Sequence, residues 1–410
     1  MMAEPELIPH LFRTEFRKIT SVLCKTFGIE HIETAEDIAG ETFLAAVETW
    51  PYKGIPENPA AWLYHVAKNK ARNYLQRDTL FQNKIAPELR KTVPAFSEEE
   101  IDLSEQHIAD SQLQMMFALC HPAISPEAQV GLSLRILCGF GIDEIADAFL
   151  TNKETINKRL FRARETLRKE KISIELPTTS EMEDRLAPVL TTIYLLFSEG
   201  YYSGSKNEVL KKDLCLEAMR LCTMLTENTL TNQPKVNALL SLMCFHASRF
   251  DARMDKEGEI VLYEDQDESL WDKELITKGA LLLKQASQGN QLSKYHLEAG
   301  IAYWHTIKED TKDKWKNILQ LYNLLLQLRY SPIAALNRTY ALSKARSKQE
   351  AITEAEKLKL ENNHLYHSLL GELYAGIDNN KAILHLKKAI ALAKSDADKK
   401  VLLRRMKLLD

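Results

Sequence analysis

The stretch that most constrains this chain is GIDEIADAFLTNKETINKRLFRARETLRKEK, from Gly141 to Lys171. It reads as two helices meeting at a tight turn. Ile142, Ile145, Ala146 and Phe149 sit at helical spacing in the first, and Thr151 and Asn152 then supply side chains suited to capping the second. There, Ile156, Leu160, Ala163 and Leu167 recur at steps of four, three and four, which gives one apolar stripe. The remaining surface is basic. Lys153, Lys158, Arg159, Arg162, Arg164, Arg168, Lys169 and Lys171 are opposed only by Glu154, Glu165 and Glu170. A short apolar helix followed by a basic amphipathic one is the helix-turn-helix pattern, whose second helix lies in the major groove. A solvated charged face on a structural hairpin would share the charge pattern, but it would not require cap, turn and stripe to agree.

Roles follow from position along that second helix. Its first turns enter the groove, so Thr155, Asn157, Lys158, Arg159 and Arg162 are placed to reach base edges or flanking phosphates. Phe161 lies off the stripe, which suits either contact with a thymine methyl or packing against a neighbouring helix.

At 410 residues, with 45% hydrophobic and 27% charged composition, the chain is globular and long enough for two to four domains. A net charge of −3 says nothing for or against a nucleic-acid partner, so only local segregation of charge can carry that inference. No apolar run of about eighteen residues is present, and the N-terminus lacks a basic segment followed by an apolar one. The expectation is a soluble, cytoplasmic protein with no membrane segment. Six cysteines without CxxC spacing read as reduced core thiols. Glycine and proline are sparse, β-branched alternation is almost absent, and the expected fold class is all-α.

In the N-terminal part, Leu11, Phe12, Phe16, Ile19, Leu23 and Phe27 outline an amphipathic helix ended by Gly28. TAEDIAGETFLAAVETW then predicts a helix capped by Thr34, acidic at Asp37, and burying Ile38, Phe43, Leu44 and Val47. After a loop marked by Pro51, Gly54, Pro56 and Pro59, a third helix has Asn58 as its cap and Pro59 at its first position. Its charges up to Arg77 are Lys68, Lys70, Arg72 and Arg77, interleaved with Trp62, Tyr64, Asn69, Asn73 and Tyr74. Cations hold a phosphate backbone, while aromatics and amides stack on or hydrogen-bond unpaired bases. An inward face of Trp62, Leu63, Val66 and Leu75 is compatible with that.

AEDIAGETF, NPAAWLYHVAKNKARNYLQR and EIADAFLTNKETINKRLFRARETL, in this order, resemble the second and fourth conserved regions of bacterial extracytoplasmic-function (ECF) sigma factors. The resemblance implies three roles. The helix with Asp37 and Glu41 would bind the β′ clamp of core RNA polymerase. The helix from Asn58 to Arg77, with the Lys53 to Glu57 loop, would melt and read the minus-ten element of promoter DNA through Trp62, Asn69, Arg72 and Asn73. The helix-turn-helix, with the β flap as polymerase partner, would read the minus-thirty-five element through Thr155, Asn157, Lys158, Arg159, Phe161 and Arg162. Gly40 stands where such factors commonly carry glutamine, and Leu150 where many helix-turn-helix units carry glycine. The implied division is region 2 over residues 7–77, a linker over 78–110 and region 4 over 111–172.

Compact factors of this kind lack the remaining 240 or so residues. LLFSEGYYSGS, DQDESLWD and SPIAALNRTYAL resemble the ECF group extended by tetratricopeptide-like helix pairs, here 180–410 with repeats at about 330–410. Ala351, Ile352, Ala355 and Leu358 are matched at an offset of 31 by Ala382, Ile383, Leu386 and Ala389. Stacked pairs form a concave surface that usually binds a peptide or protein. Regulation in cis, with an anti-sigma or other protein partner, is the expectation, and a stabilising solenoid without a ligand is the alternative.

Neither a metal nor a cofactor is expected. The acidic run from Asp265 has Leu270 and Ile276 where a calcium loop needs glycine and glutamate, and Cys120 and His121 lack a second ligand pair. No phosphate loop or nucleophile motif suggests an enzyme. The competing functional class is a stand-alone helix-turn-helix regulator with a helical sensor domain, for which the AEDIAGETF helix and the aromatic-basic helix would be superfluous.

Overall fold

The computed structural model describes residues 4–84, 101–149, 151–202, 208–253, 261–289, 291–393 and 396–409. Among them the chain is helical with no strand, as expected of an all-α protein. It forms two compact units, Met1–Thr231 and Asn232–Asp410.

In the first unit, α1 (Glu4–Phe27) buries Phe16, Ile19, Leu23 and Phe27 along one face. It stops where Gly28 turns the chain at φ 92°, a conformation that glycine adopts without steric cost. Helix α2 (Ile32–Lys53) starts three residues earlier than a Thr34 cap predicts, so Thr34 lies within its first turn. Its buried stripe is Ala35, Ile38, Ala39, Phe43, Ala46 and Trp50. Leu44 and Val47 do not join it: they are 56% and 49% exposed. At about 100° per residue Leu44 falls on the far side of the helix from that stripe.

The third helix, α3 (Pro59–Lys84), has the predicted cap, with Asn58 Oδ1 accepting from the Ala61 amide at 3.0 Å, and it continues past Arg77. Part of the predicted linker, including Pro87, Pro94 and the acidic SEEE run, lies outside the described residues, as do Leu150 and residues 203–205 of LLFSEGYYSGS.

Ser104 and Ser125 cap α4 (Glu105–Leu119) and α5 (Pro126–Leu132), and a π turn at Ser133–Leu137 prolongs α5. Then come α6 (Ile142–Ala148) and α7 (Lys153–Lys169). Asn152 caps α7 by accepting from the Thr155 amide at 2.8 Å, and the buried residues of α7 are the four of the apolar stripe.

Helices α8 (Met182–Tyr202) and α9 (Glu208–Glu227) complete this unit, pairing with each other and packing on α4, α5 and α6. Thr192 donates to Gln129 Oε1 at 2.9 Å, and Arg185 donates to the Phe117 carbonyl at 3.0 Å. Helices C-terminal to Ser173 therefore share a core with the helices before it.

The second unit begins with α10 (Pro234–Ala247), apolar on nearly every side and buried accordingly. Around it pack α11 (Lys273–Ala286) and α12 (Lys294–Trp304). Asp272, in the acidic run, caps α11 through the Leu275 amide at 2.9 Å. Helices α13 (Lys312–Leu328), α14 (Pro332–Ala345), α15 (Lys348–Lys357), α16 (His364–Tyr374), α17 (Asn379–Leu392) and α18 (Asp396–Lys407) follow, each packing mainly on its chain neighbours. In the repeat, Ala351, Ile352 and Ala355 of α15 and Ala382, Leu386 and Ala389 of α17 are buried, while Leu358 and Ile383 are half-buried.

Candidate nucleic-acid interface

Three exposed surfaces of the first unit carry the residues singled out in the sequence. On α2, Asp37, Glu41, Leu44 and Glu48 recur at steps of four, three and four and are all exposed, so one helix face is acidic with an apolar centre. Tyr52, at the end of the same helix, is 90% exposed. Leu44 thus belongs to an outward surface and not to the core in which sequence periodicity put it.

On α3, Asn69, Arg72 and Asn73 are exposed. The Asn69 amide lies 2.9 Å from His65 Nε2. Trp62 is half-buried and meets the buried Trp50 edge-to-face at 5.4 Å, which fixes its ring beside the α2–α3 loop. Tyr64 donates to Glu15, and burial together with that carboxylate pushes its phenol above the usual range. Lys70 pairs with Glu41 at 2.7 Å, so the α3 surface is continuous with the acidic face of α2. That pair is exposed enough to contribute at most about 1 kcal/mol.

On α7, Thr155, Asn157, Lys158, Phe161 and Arg162 all face outward. Phe161 is 58% exposed, which removes the alternative of packing against a neighbouring helix. Arg159 is half-buried with its guanidinium 5.3 Å from the centre of the Phe149 ring. Lys153 reaches back to Asp143 of α6 at 2.5 Å.

Arg164 departs from the single basic face read from the sequence. It leaves that face and turns inward, where its Nη2 donates to Glu36 Oε2 at 2.5 Å, while Arg135 Nε donates to the other oxygen, Oε1, at 2.7 Å. Glu36 is 9% exposed and Glu33 stands 3.8 Å from Arg164. Arg135 also donates to the Phe140 carbonyl at 3.3 Å, and Arg168 to the Glu30 carbonyl at 3.2 Å. The helix that carries Asp37 is thereby joined to α7 through one shared carboxylate. A second tie runs through α9: Glu217 meets Arg17 of α1 at 2.5 Å and Arg220 at 2.8 Å, and Arg220 donates to the Leu137 carbonyl at 2.7 Å.

Sequence reasoning missed Glu36, Arg135, Arg17 and Glu217. An acidic residue on the buried stripe of α2 was the available signal; its partners stand 99 and 128 residues away.

Among the described residues no group of three or more histidine, cysteine or carboxylate side chains could hold a metal ion, and no helix is long and apolar enough to cross a membrane. All six cysteines are buried free thiols, with Cys120 and Cys244 pushed up to about 11 by burial.

Two family models and two relatives match parts of the chain. The family model for Sigma-70 region 2 matches residues 11–80, which carry most of α1, all of α2 and most of α3, and a family of unknown function (DUF6596) matches residues 185–287. The chain is 26% identical over 169 residues to RNA polymerase sigma factor YlaC of Bacillus subtilis (strain 168), covering 41% of this chain and 94% of that protein. It is 32% identical over 371 residues to uncharacterized protein R00370 of Rhizobium meliloti (strain 1021), covering 88% of this chain and 87% of the relative. No solved structure matches. The chain belongs to the same family as R00370, and its residues 11–80 carry a Sigma-70 region 2.

Proposed function

We propose that this protein is an ECF-type sigma factor that binds core RNA polymerase, recognises a bipartite promoter and promotes strand opening, and that its own C-terminal helices restrain it. The observation that carries the reading is the region-2 match over helices whose outward faces are acidic-apolar on α2 and basic-amide on α3. In this reading Asp37 and Glu41, with Leu44 between charged neighbours, meet the β′ clamp. Trp62, Asn69, Arg72 and Asn73 capture unpaired bases of the minus-ten element, so stacking and phosphate contacts offset the energy of unpairing. Helices α6 and α7 act as a helix-turn-helix of region 4, with Thr155, Asn157, Lys158, Arg159, Phe161 and Arg162 toward the minus-thirty-five element. Residues 7–77, 78–110 and 111–172 are then region 2, linker and region 4. The extension, 180–410, ends in tetratricopeptide-like pairs.

Restraint follows from distance. The two promoter elements are centred roughly 25 base pairs apart, or roughly 85 Å of duplex at about 3.4 Å per pair. A compact unit of 231 residues has a radius of gyration of about 17 Å and so spans roughly 45 Å. With α2 and α7 sharing Glu36, the readers on α3 and α7 are too close to occupy both elements at once. Helix α9 touches both sides of that contact, through Arg17 and the Leu137 carbonyl. Polymerase and promoter would therefore bind an opened form, at the cost of breaking these ties.

The test is promoter-dependent transcription by purified core polymerase, with the full chain, with residues 1–231 and with the full-length Glu217→Gln variant. Residues 1–231 keep α8 and α9 on the core they share with α4 and α5. Higher activity of Glu217→Gln than of the full chain supports restraint by α9. Failure of every form to bind polymerase while folded would instead favour the stand-alone DNA-binding regulator, whose α7 face is equally exposed.

A further inference from the structure

The second unit contains a cavity of about 650 Å³, within the range of small-molecule sites. It is bordered by the short turn Tyr263–Asp265, the segment after α12, and the helices α13 and α14. Its walls are aromatic and braced edge to face. Tyr263 meets His305 at 5.2 Å, His305 meets Trp315 at 5.9 Å, and Trp315 meets Tyr340 at 5.5 Å.

The charges lining it do not balance. Arg249, Lys308, Lys314, Lys344 and Arg405 face the cavity, against Glu264 and Asp310. Arg405 is matched by Glu372 at 2.6 Å. Four cations against two carboxylates leave two positive charges over. The two carboxylates are themselves engaged, since Tyr340 donates to Glu264 at 3.1 Å, Trp315 Nε1 donates to Asp310, and Lys344 stands 3.8 and 3.6 Å from them.

Three of the cations crowd one ring: Arg249, Lys308 and Lys314 lie 5.5, 5.5 and 5.1 Å from the centre of Tyr263. Lys308 is held by three main-chain carbonyls, those of Tyr263, Glu264 and Gln266, at 3.0, 2.9 and 2.8 Å. Lys314, 1% exposed, donates to the Ile307 carbonyl at 2.5 Å and the Tyr263 hydroxyl at 3.0 Å. Arg249 is 8% exposed, and its Nε has no hydrogen-bond partner among the described residues. Arg249 and Lys314 are buried with no ion pair of their own among the described residues, and an anion in the cavity would compensate them.

We propose that this cavity binds a small molecule that carries a flat ring and about two negative charges. The anionic group meets Arg249, Lys314 and Lys344, and the ring lies against Trp315 and Tyr340. No residue of the sigma surfaces takes part, so the site stands or falls apart from the proposed function.

Isothermal titration of the full chain at pH 7.5 tests it with three probes: phenyl phosphate, which has ring and dianion, inorganic phosphate, which has only the charge, and phenol, which has only the ring. Phenyl phosphate is expected to bind one to one and at least tenfold more tightly than either of the others. Arg249→Gln and Lys344→Gln are expected to weaken it at least fivefold each. Because Arg249 is buried, its variant is interpreted only if its circular dichroism melt is unchanged; the half-exposed Lys344 carries the test otherwise. Absence of saturable binding, equal binding of inorganic phosphate, or undiminished binding by folded Lys344→Gln overturns the proposal.

Discussion

Replacing Glu36 by Gln tests whether the contact between α2 and α7 is a latch. Glu36 is 9% exposed and takes charge-assisted hydrogen bonds from Arg135 at 2.7 Å and Arg164 at 2.5 Å. The amide keeps the shape and one acceptor oxygen, but it leaves two guanidinium groups with only the distant Glu33 in attendance. Removing one member of a buried ion cluster costs about 3–5 kcal/mol. The Arg135 and Arg164 side chains are 23% and 16% exposed, so water offsets part of this, and a loss of roughly 2–3 kcal/mol is expected. At 1.4 kcal/mol per factor of ten, that shifts an equilibrium between docked and separated helices by roughly 30- to 150-fold.

Two assays read the shift. Spin labels at Gln76→Cys on α3 and Glu170→Cys after α7 report separation, and the native thiols are buried and so spared labelling. Urea denaturation of the first unit reports the free energy. In a cycle with Arg164→Met, the coupling to Glu36→Gln should be at least about 1 kcal/mol. An unchanged label distance together with additive effects of the two substitutions would falsify the latch.

Further expectations concern single surfaces. Arg162→Ala should weaken promoter binding and lower the salt dependence by about one phosphate contact, with polymerase association unchanged, as read by filter binding at several salt concentrations. Asn69→Ala should impair strand opening more than duplex binding; normal permanganate reactivity in the variant would remove that role. Gly40→Gln meets nothing within 4 Å of an added Cβ and should stabilise α2 by roughly 0.5 kcal/mol through helix propensity, seen in the denaturation midpoint. His305 is depressed to about 3 by burial, helped by Arg249 and Lys314. The unfolded chain therefore takes up its proton first, and His305 should account for about 2 kcal/mol of the second unit's loss as pH falls from 7 to 5; His305→Phe removes that share, while the buried His246, also depressed, goes on destabilising the unit as pH falls.

What could be read from the sequence was whatever repeats within one helix. The stripe Ile156, Leu160, Ala163 and Leu167 and the caps Asn58 and Asn152 are local, and each is where a spacing of three and four or a cap position put it. Periodicity failed for Leu44 and Val47 because a helix with apolar residues on two sides does not say which side faces the core; packing against α1 and α3 decided it. The inward turn of Arg164 was hidden for another reason. Its partner is a single carboxylate on α2, and nothing in a one-dimensional charge run separates a cation that faces DNA from one that faces a glutamate across the fold.

The same difference bears on why a carboxylate and not a leucine sits at position 36. An apolar trio of similar size at positions 36, 135 and 164 would bind α2 to α7 at least as strongly, because desolvating an ion cluster cancels most of its Coulomb gain. It would also leave an apolar patch in water whenever the two helices separated. Glu36, Arg135 and Arg164 are each well solvated when exposed, so the cluster holds the docked form by geometry while making the separated form inexpensive. In the proposed function, an interface that opens to span roughly 85 Å of promoter gains from that property. A variant replacing the whole cluster, Glu36→Leu with Arg135→Met and Arg164→Met, is therefore expected to dock as firmly as the natural chain yet open less readily, and to transcribe less with polymerase in excess.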